Sequence, residues 1–248
     1  LLAPALTHVS GIGPVTARDL RRLIALELGH AGALDGFVPY ASEKGRAVFS
    51  RAVAPHAILH VCAGNIAQPG ILSVALGLIL GSQNLVKLPS RGGAGIARFI
   101  RSLPRPLRRR VKILKSVDDR VLARAEAVIV YGNDQTIARF RARVRSPQIF
   151  LAYGHKLSFG IVFAEAATRQ TARRAARDAS LFRQQGCLSP HGFYVQEGGP
   201  LSPRQFAVEL ARAMETFEKK DPRSPLSFTE SAAIFQARQA AAFRAANR

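Results

Sequence analysis

Between positions 57 and 152 the apolar residues follow two alternating rhythms. Residues 57–62 (AILHVC) form a short continuous run, which predicts a buried strand. Residues 71–80 then take up helical spacing, with Ile71, Val74, Ala75 and Leu78 on one face. The pair recurs: 84–88 (NLVKL) predicts a strand and 95–103 a helix, stopped by Pro104 and Pro106. Residues 111–115 predict a third strand, and Asp118 and Asp119 open a helix toward Ala125 with acids at its positive end. Residues 127–131 (AVIVY) and 148–152 (QIFLA) predict two more strands, separated by a helix that Asn133 and Asp134 cap and that runs to Val144.

This β-α-β-α-β-α-β-α-β order predicts an α/β fold, a mostly parallel sheet with helices on both faces. Such sheets bind ligands at the carboxyl ends of their strands. The turns there are Ala63-Gly64-Asn65, Pro89-Ser90-Arg91, Tyr131-Gly132-Asn133 and Tyr153-Gly154-His155. After Ile161 the pattern changes. A basic helix over 168–182 leads into Cys187, 192–196 (GFYVQ) predicts a strand, and Ser202 caps a helix that starts at Pro203. Phe206, Leu210, Met214 and Phe217 form its apolar stripe, and Thr229 is the expected cap of a last Ala-rich helix. A second lobe is expected to start near Cys187.

At 248 residues and 48% apolar content, the chain can bury one large core or two modest ones. No uncharged apolar run reaches the 18 or so residues of a membrane span; 71–80 is too short. The first residues lack the basic flank of a secretory signal, and there is no initiator Met, so a partial chain is expected. Two cysteines make no disulfide framework, and a working thiol suits a reducing cytoplasm, the expected location. The net charge of +20 comes mostly from Arg, 29 of 36 basic residues. These cations are dispersed along the chain without interleaved aromatics, so nucleic acid is not the expected ligand. Small anionic ligands, such as a nucleotide cofactor or coenzyme A, fit the same charge.

Cys187 follows Gly186, where a backbone without a side chain lets a bound group come close. A thiol so placed can be a covalent nucleophile. Cys62 lies in a predicted strand and reads as a small core residue. The pairs His60/Cys62 and Cys187/His191 lack closed zinc-type spacing, so no metal is expected.

In order along the chain stand Ala63-Gly64-Asn65, Val86-Lys87-Leu88-Pro89-Ser90, Tyr131-Gly132-Asn133 and Gln185-Gly186-Cys187. Together they resemble the aldehyde dehydrogenase superfamily. The phrases HVCAGNIAQPG, NLVKLPS, YGHKLSFGIV and QQGCLSP look like its acyl-CoA reductase branch, the LuxC-like long-chain fatty acyl-CoA reductases. The resemblance runs from about residue 60 to about residue 196.

That resemblance implies a Rossmann-like cofactor domain, here with an N-terminal helical segment over residues 1–182. The start of a catalytic domain would follow over 183–248. It implies Cys187 as nucleophile and the Asn65 side-chain amide as an oxyanion donor beside the backbone N–H of Cys187. Lys87 would reach the cofactor ribose, Pro89 and Ser90 would form the turn after it, and Gly132 and Gly154 would sit at the cofactor. The family's cofactor turn is not GxGxxG, so the lack of that fingerprint is neutral. At the turn where NAD-preferring relatives often carry a Glu, this chain has Arg91, which suits a 2′-phosphate and points to NADPH. Oxidising relatives carry a water-activating Glu where this chain has Ala152, which favours transfer to or from a thiol over hydrolysis.

The expected reaction is therefore NADPH-dependent reduction of a fatty acyl-CoA to an aldehyde through an acyl-cysteine. Acyl-CoA is the expected substrate, and a homo-oligomer or an acyl-transfer partner protein stays open. Two other readings stand beside it. One is a truncated, non-catalytic relative that keeps the nucleotide-binding half. The other is a semialdehyde dehydrogenase acting on an acyl phosphate. The family has a much longer segment after its cysteine than the 61 residues that come after Cys187.

Overall fold

The computed structural model describes residues 1–9, 13–43, 46–222, 226 and 228–246. Their contacts divide into two compact units, Leu1–His155 and Lys156–Arg248. The boundary expected from the sequence lay at 182/183. The structure instead groups 156–182 with the second unit, because the helix over 169–180 packs on the helix over 203–220.

The first unit opens with helices α1 (Leu2–Thr7) and α2 (Ala17–Leu28) and an antiparallel hairpin of β1 (Val38–Glu43) and β2 (Arg46–Ser50). Its main body is β3 (Ala57–Val61), α3 (Gln68–Ile79), β4 (Gln83–Lys87), α4 (Ala94–Ser102), α5 (Arg105–Arg108), β5 (Val111–Leu114), α6 (Asp119–Ala123), β6 (Ala127–Tyr131), α7 (Asp134–Arg141) and β7 (Ile149–Tyr153). The predicted rhythm is thus present, with ends shifted by a residue or a few. Cys62 falls just past β3, and α7 stops at Arg141 rather than Val144.

The five strands lie parallel in the order β5-β4-β3-β6-β7. The chain steps outward from β3 through β4 to β5, then returns to the other side of β3 for β6 and β7. This is a Rossmann-type order, and its topological switch falls between β3 and β6. Both faces are packed: α1, α3 and α4 bury Cys62 and Val86, while Leu59, Val61, Leu85, Val128 and Val130 face α6 and α7. β3 is buried along its whole length, as a central parallel strand must be.

Caps fix where the crossover helices begin. Asp118 accepts from the N–H of Val121 at 2.8 Å and Asn133 from that of Thr136 at 2.9 Å, so the predicted cap at Asn133 is made and Asp118, expected as an acid at the helix start, is itself a cap. The hairpin of β1 and β2 had no sequence signature: most of it is exposed, so no buried face imposes an alternation.

The second unit contains β8 (Ser158–Val162), α8 (Arg169–Ser180), β9 (Pro190–Val195), α9 (Pro203–Lys220) and α10 (Phe228–Ala246). β8 and β9 pair in parallel, and Val162, Phe193 and Val195 on one face pack against α8 and α9 around Phe206. Thr168 caps α8, and Ser202 with Gln205 forms a full capping box on α9 behind Pro203. The basic helix expected to reach 182 ends at Ser180. Thr229 lies within the first turn of α10 rather than ahead of it. Among the described residues no helix is long and apolar enough to cross a membrane.

Candidate active site

The residues expected to hold a cofactor gather at the carboxyl edge of the five-stranded sheet. Lys87 is the last residue of β4; its Nζ donates to Leu88 O at 2.7 Å, which leaves two ammonium donors. Pro89 is half-buried, while Ser90 and Arg91 are exposed at the turn into α4. Asn65, also exposed, lies in the loop between β3 and α3 at the switch point. Gly132 follows β6 and Gly154 follows β7, and the N–H of Gly132 donates to Tyr153 O at 3.2 Å, tying those two turns together.

The loops after β3 and β4 touch backbone to backbone. A Cβ at Gly64 would stand 2.0 Å from the Arg91 carbonyl oxygen, and one at Gly92 2.0 Å from the Gly64 carbonyl oxygen. Gly92 also has φ +77°, which other residues rarely adopt. Only glycines let these loops close, and this closure sets Asn65 and Arg91 on adjacent turns. The first turns of α3, α4 and α7 open at the same edge, so the positive ends of these helices add to the cations there. Lys87, Arg91 and these helix ends fit an anionic dinucleotide, so the residues present suit the expected cofactor.

Beneath the loops runs a buried polar chain that the sequence did not reveal. Asn84 Nδ2 donates to Ser82 O at 2.9 Å, which leaves Oδ1 to accept from His60 Nε2 at 2.9 Å. His60 Nδ1 is then the acceptor for the Ser73 hydroxyl at 2.7 Å. Burial pushes the His60 pKa down to about 4, opposed by its bond to Asn84, so the ring is neutral at neutral pH. Both ring nitrogens are occupied, which removes His60 as a metal ligand. Tyr131 also bonds to Ser73; burial raises its pKa, and its ring stacks on Tyr153 with centroids 4.7 Å apart. A signal for the stack existed: each Tyr precedes the glycine of a strand-end turn, and the parallel register pairs the two.

Cys187 belongs to the second unit, and the structure therefore assigns it and Asn65 to different compact units. After α8 the chain passes through Phe182, Arg183 and Gln184, all with positive φ (53°, 56° and 62°). Three side-chain-bearing residues in the left-handed region cost roughly 1–2 kcal/mol each. Gly186 is buried where a Cβ would meet Ser189 Oγ at 2.9 Å. The turn is held by Ser189 N–H donating to Gly186 O at 3.0 Å and by the Ser158 hydroxyl donating to Cys187 O at 2.6 Å. Cys187 itself is exposed. Cys62 is buried, and that burial pushes its thiol up to about 12, only partly offset by Lys87. Ala152 lies exposed on β7, so no carboxylate occupies that register.

The sheet order and the loops at its edge define an aldehyde dehydrogenase-like α/β fold. The NAD-dependent benzaldehyde dehydrogenase of Corynebacterium glutamicum matches it at TM-score 0.56 and 18% identity, over 86% of this chain and 50% of that one. The indole-3-acetaldehyde dehydrogenase of P. syringae, solved with NAD+, matches at TM-score 0.57 and 14% identity, over 87% and 46%. Within that class the chain belongs to the acyl-CoA reductase (LuxC) family, whose sequence profile matches residues 13–247. The long-chain acyl-protein thioester reductase of Aliivibrio fischeri is 23% identical over 226 residues, 86% of this chain and 45% of that protein. The chain spans about half the length of the curated relatives it matches.

Proposed function

We propose that this chain carries the nucleophile and cofactor loops of a reductase that converts a fatty acyl thioester to an aldehyde. The observation that carries this reading is the contrast between its two thiols: Cys187 is exposed in a glycine-flanked turn, whereas Cys62 is buried. On this reading residues 1–182 serve the cofactor and 183–248 begin the catalytic domain.

The Cys187 sulfur attacks the thioester carbonyl carbon. A new C–S bond forms, the old one breaks, and the donor thiol leaves with the proton that Cys187 gave up. The Cys187 N–H donates to the carbonyl oxygen as negative charge develops there, and the Asn65 amide is the second oxyanion donor that the family resemblance implies. A bound nicotinamide cofactor supplies the hydride that reduces the acyl carbon. The thiohemiacetal on Cys187 then loses its C–S bond, releases the aldehyde and returns a thiolate, which takes one proton from water. With Ala152 in place of a carboxylate, little activates water against the acyl-enzyme, so hydrolysis is slow.

Lys87 serves the ribose, Pro89 and Ser90 form the turn after it, and Gly132 and Gly154 keep the two tight turns at the same sheet edge, where a Cβ would press on Thr136 and on Ile137 and Asp134. Arg91 favours NADPH through a 2′-phosphate. The similar curated proteins are named for acyl-protein thioesters, and coenzyme A offers the same thioester chemistry. Incubation with acyl-CoA, and separately with an acylated protein thiol, followed by peptide mass spectrometry, tests the reading. An adduct on the Cys187 peptide, lost in Cys187→Ala, is the expected result; an adduct that survives Cys187→Ala overturns it. NADPH is expected to bind more tightly than NADH, with Arg91→Glu reversing the order.

A further inference from the structure

We infer that the groove between β9 and α9 is the site for the acyl chain, and that it sets which chain lengths Cys187 accepts. This rests on the acyl-thioester reading above and adds where the chain goes.

The groove has a volume of about 420 Å³. Pro190, Phe193 and Val195 of β9 form one wall, and Phe206, Leu210 and Met214 of α9 form the other. Charged residues make up 21% of the chain, yet none of the thirteen residues lining the groove is Arg, Lys, Asp or Glu. A nucleotide or the phosphates of coenzyme A would demand cations there; a hydrocarbon chain does not. The apolar stripe of α9 is also only partly used by the core. Phe206 is buried, but Leu210 and Met214 stay half-covered along the groove.

Position and length agree with this occupant. β9 begins at Pro190, three residues after Cys187, and runs to Val195. At about 3.3 Å per residue it extends roughly 16 Å away from the nucleophile's turn. An extended chain of tetrahedral carbons advances about 1.25 Å per bond, so that span holds roughly a dozen carbons. Ala207 lies beside Phe206 in the lining, and it is exposed, so a larger side chain there fills groove rather than core.

The test has two readouts. In the first, tetradecanoate binding to the Cys187→Ser protein is measured by calorimetry, with and without Ala207→Phe; Ala207→Leu serves as a milder plug. Each displaced methylene costs about fourfold in affinity, so a loss of at least tenfold is expected for Ala207→Phe and a smaller one for Ala207→Leu. In the second, acylation of Cys187 by fourteen- and six-carbon thioesters is compared, and Ala207→Phe is expected to lower the long-to-short ratio at least tenfold. If tetradecanoate binding and that ratio both stay within twofold, the groove is not the chain site, while acylation of Cys187 still stands. If the calorimetric loss appears but Cys187 takes no acyl group of either length, the groove holds the chain and the reaction assigned to Cys187 falls.

Discussion

At the carboxyl edge of the five-stranded sheet, Gly64 and Gly92 press together so closely that neither tolerates a Cβ. Before Cys187, by contrast, three residues that do carry side chains are held in the left-handed region. Both segments bring backbone to a candidate reaction site. The first does so by relieving strain: glycine removes the atoms that would clash, and a buried hydrogen-bonded chain locks the sheet beneath. The second stores strain, and it leaves the thiol exposed at its end. Rigid loops suit a cofactor whose many contacts must stand ready; a strained turn suits a nucleophile that changes bonding partners.

The sharpest test of this contrast is thiol reactivity. At pH 8 a thiol with pKa about 12 is about one part in ten thousand thiolate, and Cys62 is buried as well. Iodoacetamide is expected to label Cys187 more than a hundredfold faster than Cys62, with Cys62 reacting fully only on denaturation; peptide mapping reads the result. Equal labelling would erase the distinction between the two thiols.

Next in size is Gly64→Ala. The Arg91 carbonyl it meets is backbone and cannot swing away, so a loss of about 3 kcal/mol or more is expected in chemical denaturation. Gly198→Ala is the comparison: φ is +86° there but the space is open, so about 1–2 kcal/mol is expected.

The buried chain gives a pH test of similar size. The His60 pKa is lowered to about 4 in the folded protein, from 6.5 as its ordinary value. Between those values the unfolded chain binds the proton and the folded chain does not. Stability is therefore full above pH 6.5 and falls as pH drops toward 4, by about 3 kcal/mol from this group. His60→Leu is expected to flatten that slope while costing stability at neutral pH, because Ser73 and Asn84 lose their partner.

The smallest effect is a gain. Gln184→Gly relieves one left-handed residue and is expected to stabilise the protein by about 1 kcal/mol, read as a raised Tm. If the strain helps hold the turn at Cys187, the same variant acylates more slowly.

Much of the first unit was legible in the sequence. Its parallel strands are buried on both faces, so they appear as unbroken apolar runs, and Asp118 and Asn133 announce the helices that they cap. The hairpin of β1 and β2 was not legible because most of it stays exposed. β8 was hidden for a different reason. Phe159 and Ile161 point away from the face that packs on α8 and α9, so the apolar positions do not mark the buried side.

For the candidate site, the sequence by itself determined the residue types, their order and their placement in strand-end turns. Local pattern encodes these, since a turn's glycines and caps act on their near neighbours. Only the tertiary structure decided that the Gly64 loop closes on Arg91, and that His60, Ser73 and Tyr131 join in one chain. It also decided that the stripe of α9 borders a groove lined without Arg, Lys, Asp or Glu. Those features depend on residues distant in sequence meeting at atomic spacing, and burial and close contact belong to the packed chain rather than to any one segment of it.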